Sequence, residues 1–224
     1  VTIVFLIGYL LEKGVIAHLV NKGVLPIYTV LATIAISYIL QNASMLIFGS
    51  DMKGYPKIFS IPYIKISGIE FQTEAILCIL ASLLLMVIFN FFMTRTSLGT
   101  AMRASAMDAM ASRACGIDVG LTTGLTWAIS AGIAAFAGML IGPVYGVYTT
   151  VGAVIGRKGF SSAVIGGFGN MLGAIVGGIL LGIIETMLSA YISSAYKDMI
   201  AYALLLVFLF VKPTGLFNER ALAD

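Results

Sequence analysis

AILCILASLLLMVIFNFFM, residues 75–93, is an apolar run that ends at Thr94 and Arg95. A helix rises about 1.5 Å per residue and the hydrocarbon core of a bilayer is roughly 30 Å thick, so about 20 such residues cross it. The run therefore predicts a transmembrane helix. The fold class follows from how often such runs recur along the chain.

Similar apolar runs account for much of the sequence. Apolar residues make up 60% of the 224 residues, charged residues only 10%, and the mean hydropathy of +1.05 exceeds what a water-soluble core needs. We predict an all-α fold, a polytopic bundle of transmembrane helices. Further spans are expected over residues 24–48, 121–141 and 171–192, and over 199–211, which reaches full length only with residues 194–198.

The opening run VTIVFLIGYLL, residues 1–11, is too short to span a membrane, and it has neither a basic leading region nor a cleavage site. We interpret it as the end of a truncated helix. His18, the only histidine, follows beside Glu12, Lys13 and Lys22, and this charged setting predicts a solvated turn.

Two regions between the spans are polar or irregular. Residues 49–73 form an extramembrane loop in which PYIKISGIEF alternates like a short hairpin. Residues 142–170 are rich in glycine, and SSAVIGGFG within them is too short to cross. They predict either a re-entrant or broken helix or an ordinary interfacial loop.

The sequence lacks the residues that several classes of function require. No GxxxxGK[ST] loop occurs, so the chain is not expected to bind ATP itself. With one histidine, and Cys78 and Cys115 far apart, neither a metal site nor a disulfide framework is indicated. Charges are scattered without a basic block, so nucleic acid is not an expected partner. No cofactor is implied.

LGTAMRASAMDAMASRACGID, residues 98–118, predicts a short amphipathic helix outside the bilayer. Its apolar positions recur at helical spacing and its polar positions form an opposite stripe, while Gly116 supplies a left-handed stop. The pattern fits either an interfacial helix that covers the ends of spans or a docking helix for a partner. The apolar positions are Met107, Met110, Ala111 and Ala114; the polar positions are Ser105, Asp108 and Ser112.

This segment, continued by VGLTTGLTWAISAGIAAFAGML, resembles the cytoplasmic coupling loop and the next helix of branched-chain amino acid ABC transporter permeases of the LivH type. Residues 158–217, ending in KPTGLF, resemble that family's C-terminal half, and ATIAISYILQNASMLIFG resembles an earlier helix. The resemblance implies a single permease domain over residues 1–224, truncated at its N-terminus relative to the family.

The resemblance also implies partners and a place in the cell. By this resemblance, residues 95–118 are a cytoplasmic coupling loop that docks on ATP-binding subunits, and residues 49–73 are an extracytoplasmic loop. A homologous second permease and an extracytoplasmic solute-binding protein complete an importer in the inner membrane. The family's coupling pattern maps onto Ala104, Asp108, Ala109, Ala111 and Gly116, with Arg103 and Arg113 facing acidic residues of the ATPase.

Candidates for the translocation path are a glycine-rich break and the few polar groups inside spans. Gly166, Gly167 and Gly169 would expose backbone groups at a helix break to a zwitterionic solute. Helix packing is the alternative for the GxxxG pairs Gly173–Gly177 and Gly178–Gly182. Polar groups in the apolar runs are Gln41, Asn42, Asn90 and Glu185, and Glu185 lines the path, a subunit seam or a solvated interface.

We therefore predict a permease without catalytic residues that imports hydrophobic amino acids by alternating access. Urea, short amides or sugars are alternative solutes for such a permease. A secondary transporter or channel would need paired ionisable or cation-coordinating groups at mid-membrane. A membrane enzyme would need convergent titratable residues. Both classes are disfavoured because intramembrane polar groups are scarce.

Overall fold

The structure is a computed structural model that describes residues 1–52, 54, 63–66, 69–167, 169–191, 196–212 and 215–217. The chain consists of two compact units, residues 1–149 and residues 150–224. That the whole chain forms one permease domain stays a prediction.

The first unit is mainly helical, with one short hairpin. Its elements are α1 (Thr2–Leu11), a π-helical turn (Glu12–Ile16), α2 (Ala17–Asn21), α3 (Pro26–Phe48), β1 (Tyr63–Ile66), β2 (Ile69–Gln72), α4 (Thr73–Arg95), α5 (Ser97–Met107), α6 (Ala109–Ala114) and α7 (Val119–Tyr145). The second unit contains only helices among its described residues. They are α8 (Val151–Gly166), α9 (Met171–Tyr191) and α10 (Lys197–Val211).

Within the described residues, five helical stretches are long and apolar enough to cross a membrane. This confirms an all-α polytopic membrane protein, and the predicted spans over residues 24–48, 75–93, 121–141 and 171–192 are each recovered within a few residues. α10 by itself is 15 residues long, and residues 192–195 lie outside the described part. The stretches are Thr2–Val20, Ile27–Phe48, Thr73–Arg95, Val119–Tyr145 and Leu172–Tyr191.

The first helix runs further than the sequence predicts. α1 passes through the π-helical turn into α2 without interruption, and Thr2–Val20 is long enough to span a membrane. The prediction that the opening run is too short is therefore wrong. Glu12 does not end the helix in water; it is buried, with 4% of its surface exposed, and it packs against α7 beside Gly124.

The position of His18 needs a related correction. His18 lies in α2, so the predicted turn around it is wrong, although its side chain is exposed. The turn begins later, at Lys22 and Gly23, where Gly23 adopts a left-handed φ of 66°. A left-handed backbone favours glycine because it lacks a Cβ atom.

α1 and α7 pack closely and in opposite directions. A Cβ atom placed on Gly8 would lie 2.6 Å from the Cβ atom of Ala131, and one on Gly132 would lie 3.5 Å from the ring of Phe5. Small residues let helix backbones approach in this way. The end of α2 therefore lies beside the start of α7.

α4 separates the two polar loops of the first unit. The antiparallel pair β1–β2 confirms the predicted hairpin and leads directly into the start of α4. Near that start, the Cys78 thiol donates to the carbonyl of Leu140 at 2.8 Å, close to the end of α7. Residues 96–118 follow the other end of α4. α4 is long enough to span the bilayer, and the two loops lie at its opposite ends.

The second unit is built around the pair α8–α9. Between the two helices, Gly167 and Gly169 have φ angles of 110° and 89°. Residues 151–166 are helical, and the contacts of Gly166 with Gly173 and of Gly177 with Ser162 show that α8 and α9 run antiparallel. The ordinary-loop alternative is therefore wrong for residues 151–166, and the re-entrant or broken helix stays a prediction.

Candidate functional site

The loop between α4 and α7 consists of two helices, so the prediction of one continuous helix is wrong. α5 ends at Met107, and Asp108 is extended, with φ −148° and ψ 107°. The Asp108 carboxylate accepts from the backbone N–H groups of Met110 and Ala111 at 2.8 and 2.9 Å. Aspartate at such a position caps a helix N-terminus. The helical periodicity hides this break because Asp108 also falls on the polar stripe.

α6 ends as its glycine predicts. Gly116 has φ 81°, its N–H donates to the carbonyl of Arg113, and the N–H of Ile117 donates to the carbonyl of Ser112. This pair of hydrogen bonds is a Schellman motif, which satisfies carbonyls at a helix end. The predicted left-handed stop is confirmed.

Ser105 and Ser112 of the polar stripe face the protein, whereas Asp108 is exposed and the methionines face away from the protein. Ser105 accepts a hydrogen bond from the Thr122 hydroxyl of α7 at 3.0 Å, and Ser112 is buried at 5% exposure. Met107 and Met110, in contrast, are 78% and 84% exposed. We call Met107, Met110, Ala111 and Ala114 the methionine face; each of the four is exposed.

The remaining coupling candidates lie around this face. Arg103 on α5 and Arg113 on α6 are exposed, and neither forms an ion pair with another described residue. Ala104 is half-buried and its carbonyl accepts from the Asp108 N–H. Ala109 is exposed on the first turn of α6. The loop thus presents methyl, thioether and guanidinium groups outward.

In the second unit, α8 and α9 are in backbone contact through glycines. A Cβ atom on Gly177 would collide with the carbonyl oxygen of Ser162, and one on Gly166 would collide with the backbone of Gly173. The other predicted packing pair differs. Gly178 is in ordinary contact, 3.6 Å from the Ser162 Cβ atom, and Gly182 has open space around it.

The glycine break at the end of α8 does not leave its carbonyl groups free. The carbonyls of Ile165 and Gly166 accept from the N–H groups of Leu216 and Phe217 at 2.9 and 3.0 Å. Gly215 packs on Gly167 so closely that a Cβ atom would collide with it. The hypothesis that this break offers carbonyls to a solute therefore loses two of its acceptors, because the chain itself occupies them.

Glu185 has a partner that sequence reasoning missed. The Lys158 ammonium lies 2.8 Å from a Glu185 carboxylate oxygen, joining α8 to α9, and the two side chains are 24% and 16% exposed. Lys158 stands out in the sequence only as part of a basic pair. The partners are 27 positions apart, and no periodic signal in the sequence connects them.

The other intramembrane polar candidates lie in the first unit. Asn42 on α3 donates to the carbonyl of Tyr38, one turn earlier in its own helix, at 2.8 Å. Gln41 is half-buried on the same helix, and Asn90 is exposed on α4, where its carbonyl accepts from Thr94. These hydrogen bonds satisfy groups within single helices.

Comparison with known proteins agrees with this membrane architecture. The family profile described as "Branched-chain amino acid transport system / permease component" matches residues 2–209. The LivH permease of Salmonella typhimurium, named for high-affinity branched-chain amino acid transport, is 34% identical over 218 residues, which cover 95% of this chain and 70% of the relative. The chain belongs to this permease family.

Other relatives of the permease carry related names. The BraD permease of Pseudomonas aeruginosa is 33% identical over 217 residues, covering 95% of this chain and 70% of BraD. A probable LivH permease of Methanocaldococcus jannaschii is 26% identical over 229 residues, covering 96% of this chain and 70% of that relative. No solved structure matches the chain significantly. The predicted family is thereby confirmed, and the chain is a multi-pass membrane permease.

Proposed function

We propose that this chain is the permease subunit of an ATP-driven importer of branched-chain amino acids in the inner membrane. Family membership supports the transport role, and the names of the relatives LivH and BraD support the solute class. ATP hydrolysis belongs to separate ATP-binding subunits, and solute arrives from an extracytoplasmic solute-binding protein. A homologous permease forms the second half of the translocation pathway.

The methionine face is the observation that carries this proposal. Methionine and alanine side chains exposed outside the membrane are costly in water, and they gain stability by burial against a partner. Methionine is unbranched and adapts its shape to a groove. The face lies between Arg103 and Arg113, which are placed to meet acidic residues of an ATP-binding subunit. Closure of the paired ATPases would then move α5 and α6, and through Ser105–Thr122 it would move α7.

Residues 95–118 accordingly face the cytoplasm in our proposal. Residues 49–73 lie at the opposite end of α4 and face the solute-binding protein. Asp108, the acidic position of the family's coupling pattern, caps the first turn of α6. In our proposal this cap fixes α6 relative to α5 and so shapes the docking surface. Glu185 and its Lys158 partner are the proposed charged element of the pathway.

The proposed docking predicts a specific loss of ATPase binding. We expect Met107→Glu combined with Met110→Glu to lower co-purification of the ATP-binding subunit with the full-length permease by at least about tenfold, since burying two added carboxylates in the interface is unfavourable. The measurement is the ATPase-to-permease ratio after affinity purification from detergent-solubilised membranes.

Met52→Glu is the matched control. Met52 is also exposed, at 66%, but it lies in the loop that precedes the hairpin. Its substitution should leave the ratio unchanged. Equal ATPase recovery with wild type and the Met107/Met110 double variant, at equal membrane insertion, would show that the methionine face is not the docking surface.

A further inference from the structure

The inner end of the α1–α7 pair contains a polar cavity that the proposed coupling mechanism does not use. Its volume is about 520 Å³. It lies at the same end of α7 as the docking loop, because Asp118 caps α7 there by accepting from the Leu121 N–H at 3.1 Å. The cavity is lined by Tyr9, Glu12, Lys13, Ala17, His18, Asp118, Gly120 and Leu121.

Glu12 is the unusual group in this cavity. Only 4% of its surface is exposed, and among the described residues its carboxylate accepts no hydrogen bond and forms no direct ion pair. A buried charge in a membrane protein is costly unless another group compensates it, so an intramembrane carboxylate of this kind marks a functional site. Lys13 attracts this carboxylate electrostatically without contacting it, so the carboxylate oxygens remain able to accept hydrogen bonds from a bound cation.

The local backbone places Glu12 toward the cavity. Glu12 begins the π-helical turn, a distortion that occurs often at functional sites. Across from it, Gly124 leaves the necessary space. A Cβ atom at Gly124 would lie 3.1 Å from a Glu12 carboxylate oxygen and 2.8 Å from the Tyr9 ring.

Lys13, which follows Glu12 in the chain, lines the same cavity and attracts the Glu12 carboxylate without contacting it. Its ammonium lies over the Tyr9 ring, 5.9 Å from the ring centroid, and it makes no ion pair with Glu12. The cavity therefore holds a carboxylate and an ammonium that are not in contact, with the Tyr9 ring beside the ammonium. Ala17 and Leu121 add apolar surface. Opposite charges held apart beside an apolar wall complement a zwitterion with an apolar side chain.

We propose that this cavity binds the transported amino acid at the inner end of the permease. The Glu12 carboxylate would accept from the α-ammonium, Lys13 would bind the carboxylate, and the side chain would lie against Tyr9, Ala17 and Leu121. The identity of the solute rests on the proposed function. The site itself is new, since it uses none of the residues of the docking loop surface or of the charged pair in the second unit.

Equilibrium binding of radiolabelled leucine to the full-length permease in nanodiscs, without ATP or solute-binding protein, tests the site. We expect Glu12→Gln and Lys13→Met each to weaken binding by about tenfold or more, as for the loss of one charge-assisted hydrogen bond. Gly124→Ala should also weaken it, because the added methyl group fills the space between Glu12 and Tyr9. Lys13 is exposed, so its variant should fold even if Glu12→Gln does not.

Glu74→Gln is the matched control, because Glu74 is also a buried acid, at 8% exposure, but lies on α4 outside the cavity. The Glu74→Gln variant should bind leucine as tightly as wild type does.

Competition by leucine methyl ester and by 4-methylpentanoate tests the two charges of the ligand separately. Each should compete at least about tenfold less well than leucine, since each lacks one charge.

Unchanged binding in Lys13→Met, or full competition by either analogue, would overturn the proposal. So would the absence of leucine binding to wild type. These outcomes are independent of ATPase co-purification, so failure of this site and failure of the proposed coupling function can be told apart.

Discussion

Gly177→Leu should prevent the second unit from folding. A side chain at Gly177 would collide with the backbone carbonyl of Ser162, and its Cβ atom would lie 2.9 Å from the Gly166 nitrogen. Neither neighbour is the end of a flexible side chain, so α8 and α9 would have to separate along their length. The expected cost is at or above the roughly 3 kcal/mol typical of severe overpacking. Thermal unfolding of the detergent-purified permease measures the effect.

Gly182→Leu is the control in the same helix. The space beside Gly182 is open, and leucine has a higher helix propensity than glycine by roughly 0.8 kcal/mol. Its unfolding temperature should match or exceed that of wild type. If both variants unfold alike, the close approach of α8 and α9 at Gly177 is not what stabilises the pair.

The second large effect is expected at the Lys158–Glu185 pair. Lys158→Met alone, or Glu185→Leu alone, leaves one mostly buried charge without this partner. Breaking a buried pair in this way costs several kcal/mol, and we expect up to about 3 kcal/mol here because both side chains keep some exposure. The unfolding temperature and the rate of leucine uptake should both fall.

The double variant Lys158→Met/Glu185→Leu should recover most of the stability, since apolar replacement of both partners leaves no uncompensated charge. It should not recover uptake if the pair belongs to the pathway. The exchanged pair, Lys158→Glu with Glu185→Lys, tests whether charge or position matters. Additive losses in the double variant would mean that the two groups do not interact.

Much of the fold could be predicted because a membrane makes the signal simple. Apolar runs of sufficient length identify spans, and glycines mark the ends of helices. Gly116 does so at α6, where its φ is positive. The pairing of β1 with β2 agrees with the prediction from alternation alone. The resemblance in the coupling segment then identified the family.

The features that could not be predicted share a physical cause, because each depends on contacts that a side chain makes outside the local sequence pattern. The charges at Glu12 and Lys13 resemble a helix end until α7 buries Glu12. Asp108 fits a continuous helix by spacing, yet its carboxylate caps a new one. The pairing of Lys158 with Glu185 depends on the register of α8 against α9, which glycine contacts determine. No local pattern encodes these contacts.

The most direct test of the proposed function is leucine uptake into proteoliposomes that contain the full-length permease, its homologous partner and the ATP-binding subunits. We predict uptake only when ATP is present on the side of the docking loop and the loaded solute-binding protein is present on the other. Leucine flux driven by an ion gradient, without ATP and without the ATP-binding subunits, would contradict the account and show a self-contained transporter.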